Sequence, residues 1–319
     1  MKHLFLINPK AGKGDAQTAL LERIRAVFDP AEVEVIHTQY PGHATQLARA
    51  AGESGETVRV YACGGDGTLN EVVNGAAGFE NLAVTLVPMG TGNDFLRIFR
   101  PLSGGKSDPA AFRDLNALKE GPQSSFDVME CNDKLGLGVV CAGVDARIGA
   151  EVHKYDRIRA VSNTGAYVVA LIVNFFLKDI ARPLRVELED TVWDRDTTVL
   201  CVCNARYYGG GFMPIRDNRP DDGMLEVLLV PRISRLTFAR LVKTYATGGY
   251  AKVPHLIKFH RTRALTFSSA QPTVAVVDGE VMEDTHFTLR LSEKKVNFFY
   301  PQSLTYLPEG ETAVEAGVI

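Results

Sequence analysis

Long membrane-spanning runs, a secretion signal and paired cysteines are absent from this sequence of 319 residues. Residues 1–9 have neither the apolar core nor the small-residue cleavage site of a secretory signal, which predicts a cytoplasmic protein. A strongly apolar stretch at 166–177 is shorter than the roughly 20 residues that cross a bilayer. It therefore predicts a buried or interfacial helix.

The sequence also lacks a large excess of either charge, because its 35 Lys and Arg nearly balance its 38 Asp and Glu and leave a net charge of −3. This balance predicts no nucleic-acid partner, and any contact with anionic lipid needs a local basic cluster. The cysteines form no C-x-x-C pair and have no histidine at zinc-ligand spacing, so we expect reduced core residues. They are Cys63, Cys131, Cys141, Cys201 and Cys203.

The length predicts two domains, because a single core rarely grows beyond 250–300 residues or so. In residues 1–125, short apolar runs alternate with helical periodicity, which favours β-α-β units and a parallel sheet. The apolar runs are 4–7, 33–37, 58–63 and 83–88, and the helical segments lie near 16–28, 43–54 and 68–76. We predict an α/β domain over residues 1–125, whose function the motifs below indicate.

After residue 125 strands dominate, which predicts a mostly antiparallel β-sandwich with inserted helices over residues 126–300. The helices are expected near 145–180 and 234–247. The expected strands are 126–130, 135–142, 184–189, 199–203, 225–230, 257–259, 265–268, 274–277, 287–291 and 296–300. The tail 301–319 is predicted either to pack back on the first domain or to stay loose.

The sharpest motif is Gly-Gly-Asp-Gly-Thr at 64–68, which follows a predicted strand and opens a helix. Its glycines allow backbone N–H groups to approach phosphate oxygens, and the helix start favours an anion. A carboxylate such as Asp66 beside phosphates needs a cation or an acceptor proton. The alternatives are an Asp-Gly turn at Asp66 and a capping box formed by Thr68 and Glu71.

A second loop, Pro-Met-Gly-Thr-Gly-Asn-Asp-Phe-Leu-Arg at 88–97, follows the next strand and should lie at the same carboxyl edge of the sheet. Asp94 adds a second carboxylate, and Arg97 adds a planar cation suited to phosphate. The alternative is a polar loop that caps a helix at Asn93 or Asp94.

A third strand-to-helix turn, Asn-Pro-Lys-Ala-Gly-Lys-Gly at 8–14, carries Lys13 and does not match the Walker A pattern. Three such turns on neighbouring strands predict one rim. Lys13 and Arg97 would there face Asp66 and Asp94, a composition that suits a nucleotide with magnesium.

With these loops in this order, the chain resembles the bacterial diacylglycerol kinase-like lipid kinases, relatives of the sphingosine kinases. The likeness spans nearly the whole chain. It also includes Thr38 with Gly-His-Ala at 42–44, Tyr-Gly-Gly-Gly at 208–211, Asp-Gly at 222–223 and Val-Asp-Gly-Glu at 277–280. It implies a first domain like those of NAD kinases and phosphofructokinases, a lipid-substrate sandwich domain, and an ATP site between the two.

The resemblance implies an ATP- and Mg²⁺-dependent lipid kinase with these site residues. The catalytic residues implied are Asp66, Asp94, Asp127 and Glu280; the nucleotide-binding residues are Asn8, Lys13, Thr38, Gly64, Gly65, Gly67, Thr68, Thr91 and Arg97. From the residues alone, Asp127 is equally well a strand-start residue. Glu280 is equally well one side of an Asp278-Gly279 hairpin turn.

The resemblance also implies a structural magnesium in the second domain. Asp217, Asp222 and Met224 are the implied ligands, with Asp217 substituting for an expected carboxylate because 215–220 is more basic than the family pattern. The alternative is an ordinary acidic β-turn.

A lipid acceptor requires transient contact with a membrane surface. Arg147, Lys154, Arg157 and Arg159 precede the apolar stretch 166–177, and together they predict docking on anionic headgroups. A solvated face leading into a core helix is the alternative. The acceptor lipid and the oligomeric state, including a homodimer, stay open. A kinase for a soluble acceptor and an inactive lipid- or nucleotide-binding protein are the competing functions.

Overall fold

A computed structural model describes residues 1–12, 15–90, 92–144, 146 and 179–307. Of these residues, one compact unit takes those within 1–128, 219–222 and 292–307. A second unit takes those within 129–218 and 223–291. The sequence-based division at 125, 300 and 319 stays a prediction.

The described chain contains three short 3-10 helices, Phe95–Ile98, Pro109–Arg113 and Tyr250–Lys252, together with fifteen strands and five complete α-helices. In chain order they are β1 (Lys2–Ile7), α1 (Ala16–Val27), β2 (Val33–His37), α2 (His43–Glu53), β3 (Val58–Gly64), α3 (Asp66–Ala76), β4 (Leu82–Pro88), β5 (Arg100–Pro101), α4 (Leu115–Lys119), β6 (Gln123–Cys131), β7 (Lys134–Gly136), β8 (Val139–Gly143), β9 (Arg182–Leu188), β10 (Val192–Cys203), β11 (Leu225–Pro231), α5 (Arg235–Ala246), β12 (Lys258–Thr262), β13 (Ala264–Val277), β14 (Glu280–Phe299) and β15 (Leu304–Thr305).

The first unit is built on parallel strands in the order β2-β1-β3-β4, with a helix after each of the first three strands. Almost every residue of β1, β3 and β4 is buried. Strands covered on both faces read as continuous apolar runs, which explains why the sequence shows no alternation there. The predicted β-α-β arrangement is confirmed.

The end of the chain adds two strand pairs to the first unit. Asn297 and Phe298 of β14 pair in parallel with β4, and β15 pairs with β5. Residues 301–307 of the predicted tail therefore contact the first unit, and residues 308–319 lie outside the described residues.

The second unit is antiparallel, as predicted. β8 and β9 each pair with both β10 and β13. Because β14 pairs with one edge of β13 along both of its halves, β8 and β9 lie one after the other between β10 and β13. β11 and β12 extend the sheet beyond β10, and β14 pairs with β13.

Alternate residues of the central strands feed two separate cores. Val140 and Ala142 of β8 belong to one core, in which Phe267 and Phe287 stack at 4.6 Å between ring centroids. The intervening residues of these strands join a second cluster, which α5 covers with Phe238, Leu241 and Tyr245. This two-sided burial follows from the period of two residues in a strand.

Several predicted strand boundaries were wrong. The predicted strand 135–142 is interrupted, because the N–H groups of Leu137, Gly138 and Val139 donate to the Asp278 carboxylate. Conversely, the strands predicted at 265–268 and 274–277 are one strand, β13, whose register shifts between Ser268 and Thr273. The strands predicted at 287–291 and 296–300 are likewise joined in β14. Local breaks in the pattern did not end the pairing.

The helices of the second domain divide between described and undescribed residues. The helix predicted at 234–247 is confirmed as α5, and its Ser234 side chain accepts the N–H of Thr237 as an N-cap. The helix predicted near 145–180 lies almost wholly outside the described residues.

All five cysteines are buried and free of disulfides, as the sequence predicted. Burial raises the pKa of the Cys63 thiol far above its usual value and that of Cys131 to about 12. Because the thiolate is the reactive form, these two side chains behave as inert core residues.

An aromatic cluster anchors the start of β1. Phe5 stacks on Tyr61 at 4.1 Å, and the Tyr61 hydroxyl lies 3.0 Å from Nδ1 of the buried His3. Burial, with the nearby charges of Arg59 and Lys119, lowers the pKa of His3 from 6.5 to about 4. His3 is therefore neutral in the folded protein at pH 7.

We expect His3 to make the free energy of unfolding depend on pH. At a pH between the two pKa values of His3, the unfolded chain binds more protons than the folded chain. The contribution of neutral His3 to the free energy of unfolding is therefore complete above about pH 6.5 and is lost as the pH falls towards 4. Denaturant unfolding from pH 7 to 4.5 should show a smaller loss of stability for His3→Gln than for the wild type. The exposed-site variant His37→Gln should follow the wild type, and parallel curves for all three proteins would contradict the assignment.

Candidate active site

The candidate site lies at the carboxyl edge of the parallel sheet. The strand order β2-β1-β3-β4 reverses direction between β1 and β3, which is where ligands of open α/β sheets bind. Nδ2 of Asn8, just after β1, donates to Oγ1 of Thr68 in α3 at 3.2 Å, directly across this switch point. The predicted gathering of glycine-rich turns around one position is therefore found in the first unit.

The ends of β3 and β4 approach each other through their glycines. The N–H groups of Met89 and Gly90 donate to the carbonyl of Gly64 at 2.8 and 3.1 Å. A Cβ on Gly64 would overlap the Thr68 side chain, and one on Gly90 would lie 3.2 Å from the Cα of Gly65. Glycine is required here for close contact between two loops.

The predicted capping box at Thr68 and Glu71 was wrong. Helix α3 begins at Asp66, and Gly65 precedes it without a side-chain cap. Oε2 of Glu71 instead accepts the N–H of Ala44, in the first turn of α2, at 3.2 Å. This places a carboxylate at the positive end of a neighbouring helix, where it is stabilising.

Asp66 and Asp94, the two predicted catalytic carboxylates of the rim, come together. Oδ1 of Asp66 accepts the backbone N–H of Asp94 at 2.8 Å. A Cβ on Gly92 would overlap Oδ2 of the same carboxylate, so the loop after β4 wraps closely around Asp66. Asn93 adopts a left-handed φ of 56° and donates through Nδ2 to the carbonyl of Gly90, which tightens the loop.

Arg97 supplies the positive charge of this loop. Its Nε lies 3.0 Å from Oδ1 of Asp94, and the Arg97 side chain is 32% exposed whereas that of Asp94 is 14% exposed. The guanidinium is therefore held beside the Asp94 carboxylate while part of the side chain faces solvent. That arrangement leaves donors available to an anion.

The donor set fits a magnesium nucleotide better than a metal bound by protein alone. No group of three His, Cys, Asp or Glu side chains suited to a metal occurs in the described part of the chain. Mg²⁺ in kinases is held by one or two carboxylates together with phosphate oxygens. Asp66 and Asp94 supply two carboxylates at the carboxyl edge of the parallel sheet.

Other predicted nucleotide-binding residues occupy the same edge. Thr38 follows β2, and its N–H donates to the carbonyl of Ile7 at 2.9 Å. Gly67 is exposed in the first turn of α3. Lys13 and Thr91 lie outside the described residues.

Asp127 has a different environment within the first unit. Its buried carboxylate forms a 2.8 Å ion pair with Lys295 of β14. The carbonyl of Lys295 accepts the N–H of Gly78, which precedes β4, so this pair lies near the amino end of that strand. Asp66 and Asp94 lie at the carboxyl end. The catalytic role of Asp127 stays a prediction.

Glu280 lies in the second unit, at an exposed position after a two-residue hairpin. Asp278 and Gly279 both have positive φ, 46° and 93°, as a tight hairpin turn requires. The hairpin alternative is therefore confirmed, while a catalytic role for Glu280 stays a prediction. The Asp278 carboxylate accepts three backbone N–H groups at 2.6 to 3.0 Å, contacts that the sequence did not predict.

The acidic turn predicted to hold a second magnesium has a salt bridge at its centre. Asp221 accepts from Arg219 at 2.9 and 3.0 Å and from the Tyr306 hydroxyl at 2.9 Å, so its charge is already offset. Asp217 and Asp222 are exposed, and Met224 is half-buried. The magnesium site stays a prediction.

Comparison with known families agrees with the two-part architecture. The diacylglycerol kinase catalytic domain matches residues 2–143, and the YegS C-terminal NAD kinase beta sandwich-like domain matches residues 138–300. The chain belongs to the diacylglycerol kinase-like lipid kinases. Sequence and family models thus agree on a kinase family with an N-terminal catalytic domain and a C-terminal sandwich-like domain.

Individual relatives of this lipid kinase family align over almost the whole chain. A YegS-like lipid kinase of Pseudomonas aeruginosa is 28% identical over 309 residues, which cover 96% of each chain. A diacylglycerol kinase of Staphylococcus aureus is 24% identical over 308 residues, 94% of this chain and 92% of its own.

Solved structures show the same fold at lower identity. A diacylglycerol kinase from Bacillus anthracis has a TM-score of 0.64 at 19% identity, covering 95% of this chain and 98% of its own. A yeast NADH kinase has a TM-score of 0.50 at 8% identity, covering 94% and 83%. The lipid kinase fold is thus shared with these structures.

Sequence reasoning did not predict the contacts of several site residues, because their partners are distant in the chain. Glu71 contacts Ala44, Lys295 contacts Asp127, and Asp278 contacts the backbone at 137–139. A spacing pattern carries no signal for such contacts. Only for Asn93 was a signal present, because asparagine tolerates a left-handed φ between glycine-rich segments.

We expect Gly92→Ala to destabilise the protein by about 1–3 kcal/mol, because the added methyl overlaps the Asp66 carboxylate. Denaturant unfolding of a double-mutant cycle with Asp66→Ala checks this expectation. In the Asp66→Ala background the cost of Gly92→Ala should largely disappear. Equal costs in the two backgrounds would show that Gly92 does not contact Asp66 in the folded protein.

Proposed function

We propose that this chain is an ATP- and Mg²⁺-dependent lipid kinase that phosphorylates a lipid hydroxyl at a membrane surface. The observation that carries the proposal is the contact between the Asp66 carboxylate and the Asp94 N–H, where the glycine-rich ends of β3 and β4 meet. Two carboxylates beside a helix start and an arginine match the needs of phosphoryl transfer, which are positioning and charge neutralisation.

In this proposal the first unit binds the phosphates. The start of α3 faces the ligand with backbone N–H groups, and Arg97 offsets negative charge on the transferred group. Asp66 and Asp94 would hold Mg²⁺, which when bound neutralises charge on the phosphate oxygens. Lys13 and Thr91 belong to the same loops, and we propose that they also bind the nucleotide.

The reaction forms a bond between the lipid oxygen and the γ-phosphorus and breaks the bond from that phosphorus to the ADP oxygen. The hydroxyl proton passes to a carboxylate. We assign this base to Glu280, because its position on the hairpin is exposed, whereas Asp127 is buried and paired with Lys295. A loss of turnover in Asp127→Asn with full activity in Glu280→Gln would reverse the assignment.

Membrane contact in this proposal uses residues that the structure does not describe. The basic residues Arg147, Lys154, Arg157 and Arg159 and the stretch 166–177 all lie outside the described residues. Where the structure is described, no helix has the length and apolar character needed to cross a bilayer. A peripheral mode of binding is therefore the mode we propose.

Radiolabelled ATP with a panel of acceptors tests the proposed function. The panel contains diacylglycerol, monoacylglycerol, sphingoid bases and phosphatidylglycerol in mixed micelles, together with NAD as a soluble acceptor. We expect label in at least one lipid. Label in NAD alone would favour the soluble-acceptor kinase, and no label in any acceptor would favour an inactive binding protein.

We expect Asp66→Asn to reduce lipid phosphorylation by at least about a hundredfold, because this carboxylate both holds its loop and faces the reacting phosphates. The measurement is initial rate with the best lipid of the panel. Its matched control is Asp133→Asn, an exposed turn position of the second unit, which should keep wild-type activity. A folded Asp66→Asn protein with a near wild-type rate would refute the assignment.

We expect vesicle binding to rise with anionic lipid content and to fall when Arg157 and Arg159 are both replaced by glutamine, because basic side chains bind anionic headgroups. Co-sedimentation with phosphatidylcholine vesicles containing increasing phosphatidylglycerol measures this. Replacement of the exposed Arg185 and Arg290 of the second unit by glutamine controls for total charge. Vesicle binding that changes neither with anionic lipid content nor with replacement of Arg157 and Arg159 would contradict the docking proposal.

A further inference from the structure

An exposed pair of stacked rings lies at the same sheet edge as the candidate site and has no role in the mechanism above. The rings of Tyr40 and His43 are 4.7 Å apart between centroids and inclined by 23°. Tyr40 is 48% exposed and His43 is half-buried, so Tyr40 is the more open ring of the pair.

Hydrogen bonds hold both rings of the stack in place. The Tyr40 hydroxyl donates to Oε1 of Gln46 at 2.9 Å, and the N–H of Gln39 donates to Nδ1 of His43 at 3.2 Å. A tight turn, in which the N–H of His43 donates to the carbonyl of Tyr40, brings the two rings together. The ring of Tyr40 is thus oriented before any ligand arrives, which lowers the entropy cost of binding.

The position of the stack relative to the phosphate loops follows from the strand order. Tyr40 follows β2, which pairs with β1, and β1 pairs with β3, whose end carries Asp66. Two strand spacings therefore separate the stack from the phosphate loop, about 10 Å. In a nucleoside triphosphate the base is separated from the transferred phosphoryl group by two further phosphates and a ribose. A nucleotide whose phosphates lie at β3 and β4 extends its base towards β2.

We propose that the exposed face of the Tyr40 and His43 stack binds the purine base of the nucleotide. This inference rests on the proposed function, because it needs a nucleotide at the phosphate loops. The hydroxyl of Tyr40 and Nδ1 of His43 are already hydrogen-bonded within the turn, so the aromatic face is the surface offered to the base. Stacking on a π-face tolerates different bases, so the stack does not select adenine over guanine.

Binding of Mg²⁺ complexes of ATP, GTP and inorganic tripolyphosphate to the full chain, measured by calorimetry, tests this inference. Because Tyr40→Ala removes one stacking contact with the base, we expect it to lower the affinity for ATP and for GTP by about tenfold each. Tripolyphosphate, which has no base, should bind Tyr40→Ala and wild type equally. Tyr40→Phe keeps the ring and should retain nucleotide affinity close to that of the wild type.

A second stacked and exposed pair provides a matched control. Phe259 is 37% exposed and stacks on Tyr250 at 4.9 Å and 25°, in the second unit. Phe259→Ala should leave the affinity for all three ligands unchanged. Equal loss of ATP in Phe259→Ala and Tyr40→Ala would overturn the inference.

The remaining outcomes separate this inference from the proposed function. Unchanged ATP and GTP affinity in Tyr40→Ala overturns the base contact while the kinase proposal stands. An equal loss of affinity for tripolyphosphate and for ATP in Tyr40→Ala also overturns the base contact, because the substitution would then have disturbed the phosphate loops. A wild-type chain that binds none of the three ligands overturns the proposed function and this inference with it.

Discussion

The carboxylate of Asp66 accepts the backbone N–H of Asp94, and the candidate site depends on this contact between two loops. A carboxylate that accepts a backbone N–H keeps a fixed orientation, and here it also fixes the loop that carries Asp94 and Arg97. The contact is formed only because Gly92 has no side chain and because Gly64 and Gly90 allow the strand ends to approach. The arrangement of the carboxylates therefore depends on close backbone packing at these glycines.

Parallel strand order extends this local arrangement along the edge of the sheet. The strand order changes direction between β1 and β3, and Asn8 and Thr68 are hydrogen-bonded across that point. Glu71 joins α3 to the first turn of α2. Hydrogen bonds thus join the described residues that follow β1, β2, β3 and β4 in the first unit, an arrangement that suits a ligand that must be positioned accurately.

The second unit is organised on a different principle, in which an antiparallel sheet separates two hydrophobic cores. β8 and β9 each join β10 to β13, and α5 covers one of the two cores. Its one turn of direct interest is the Asp278-Gly279 hairpin. Asp278 binds three backbone N–H groups there, so the position of the neighbouring Glu280 is fixed by a charged hydrogen-bond network.

The sequence by itself determined the parallel β-α-β order, the buried free cysteines, and the meeting of Asp66 and Asp94 at one edge, because these follow from local periodicity and from the placement of glycine after strands. It did not determine the partners of Glu71, Asp127 and Asp278. Those contacts join residues far apart in the chain, and only the tertiary structure decides which backbone or side chain reaches them. The joining of predicted strands in β13 and β14 was decided in the same way, since cross-strand pairing continues through a local irregularity that a periodic pattern treats as an end.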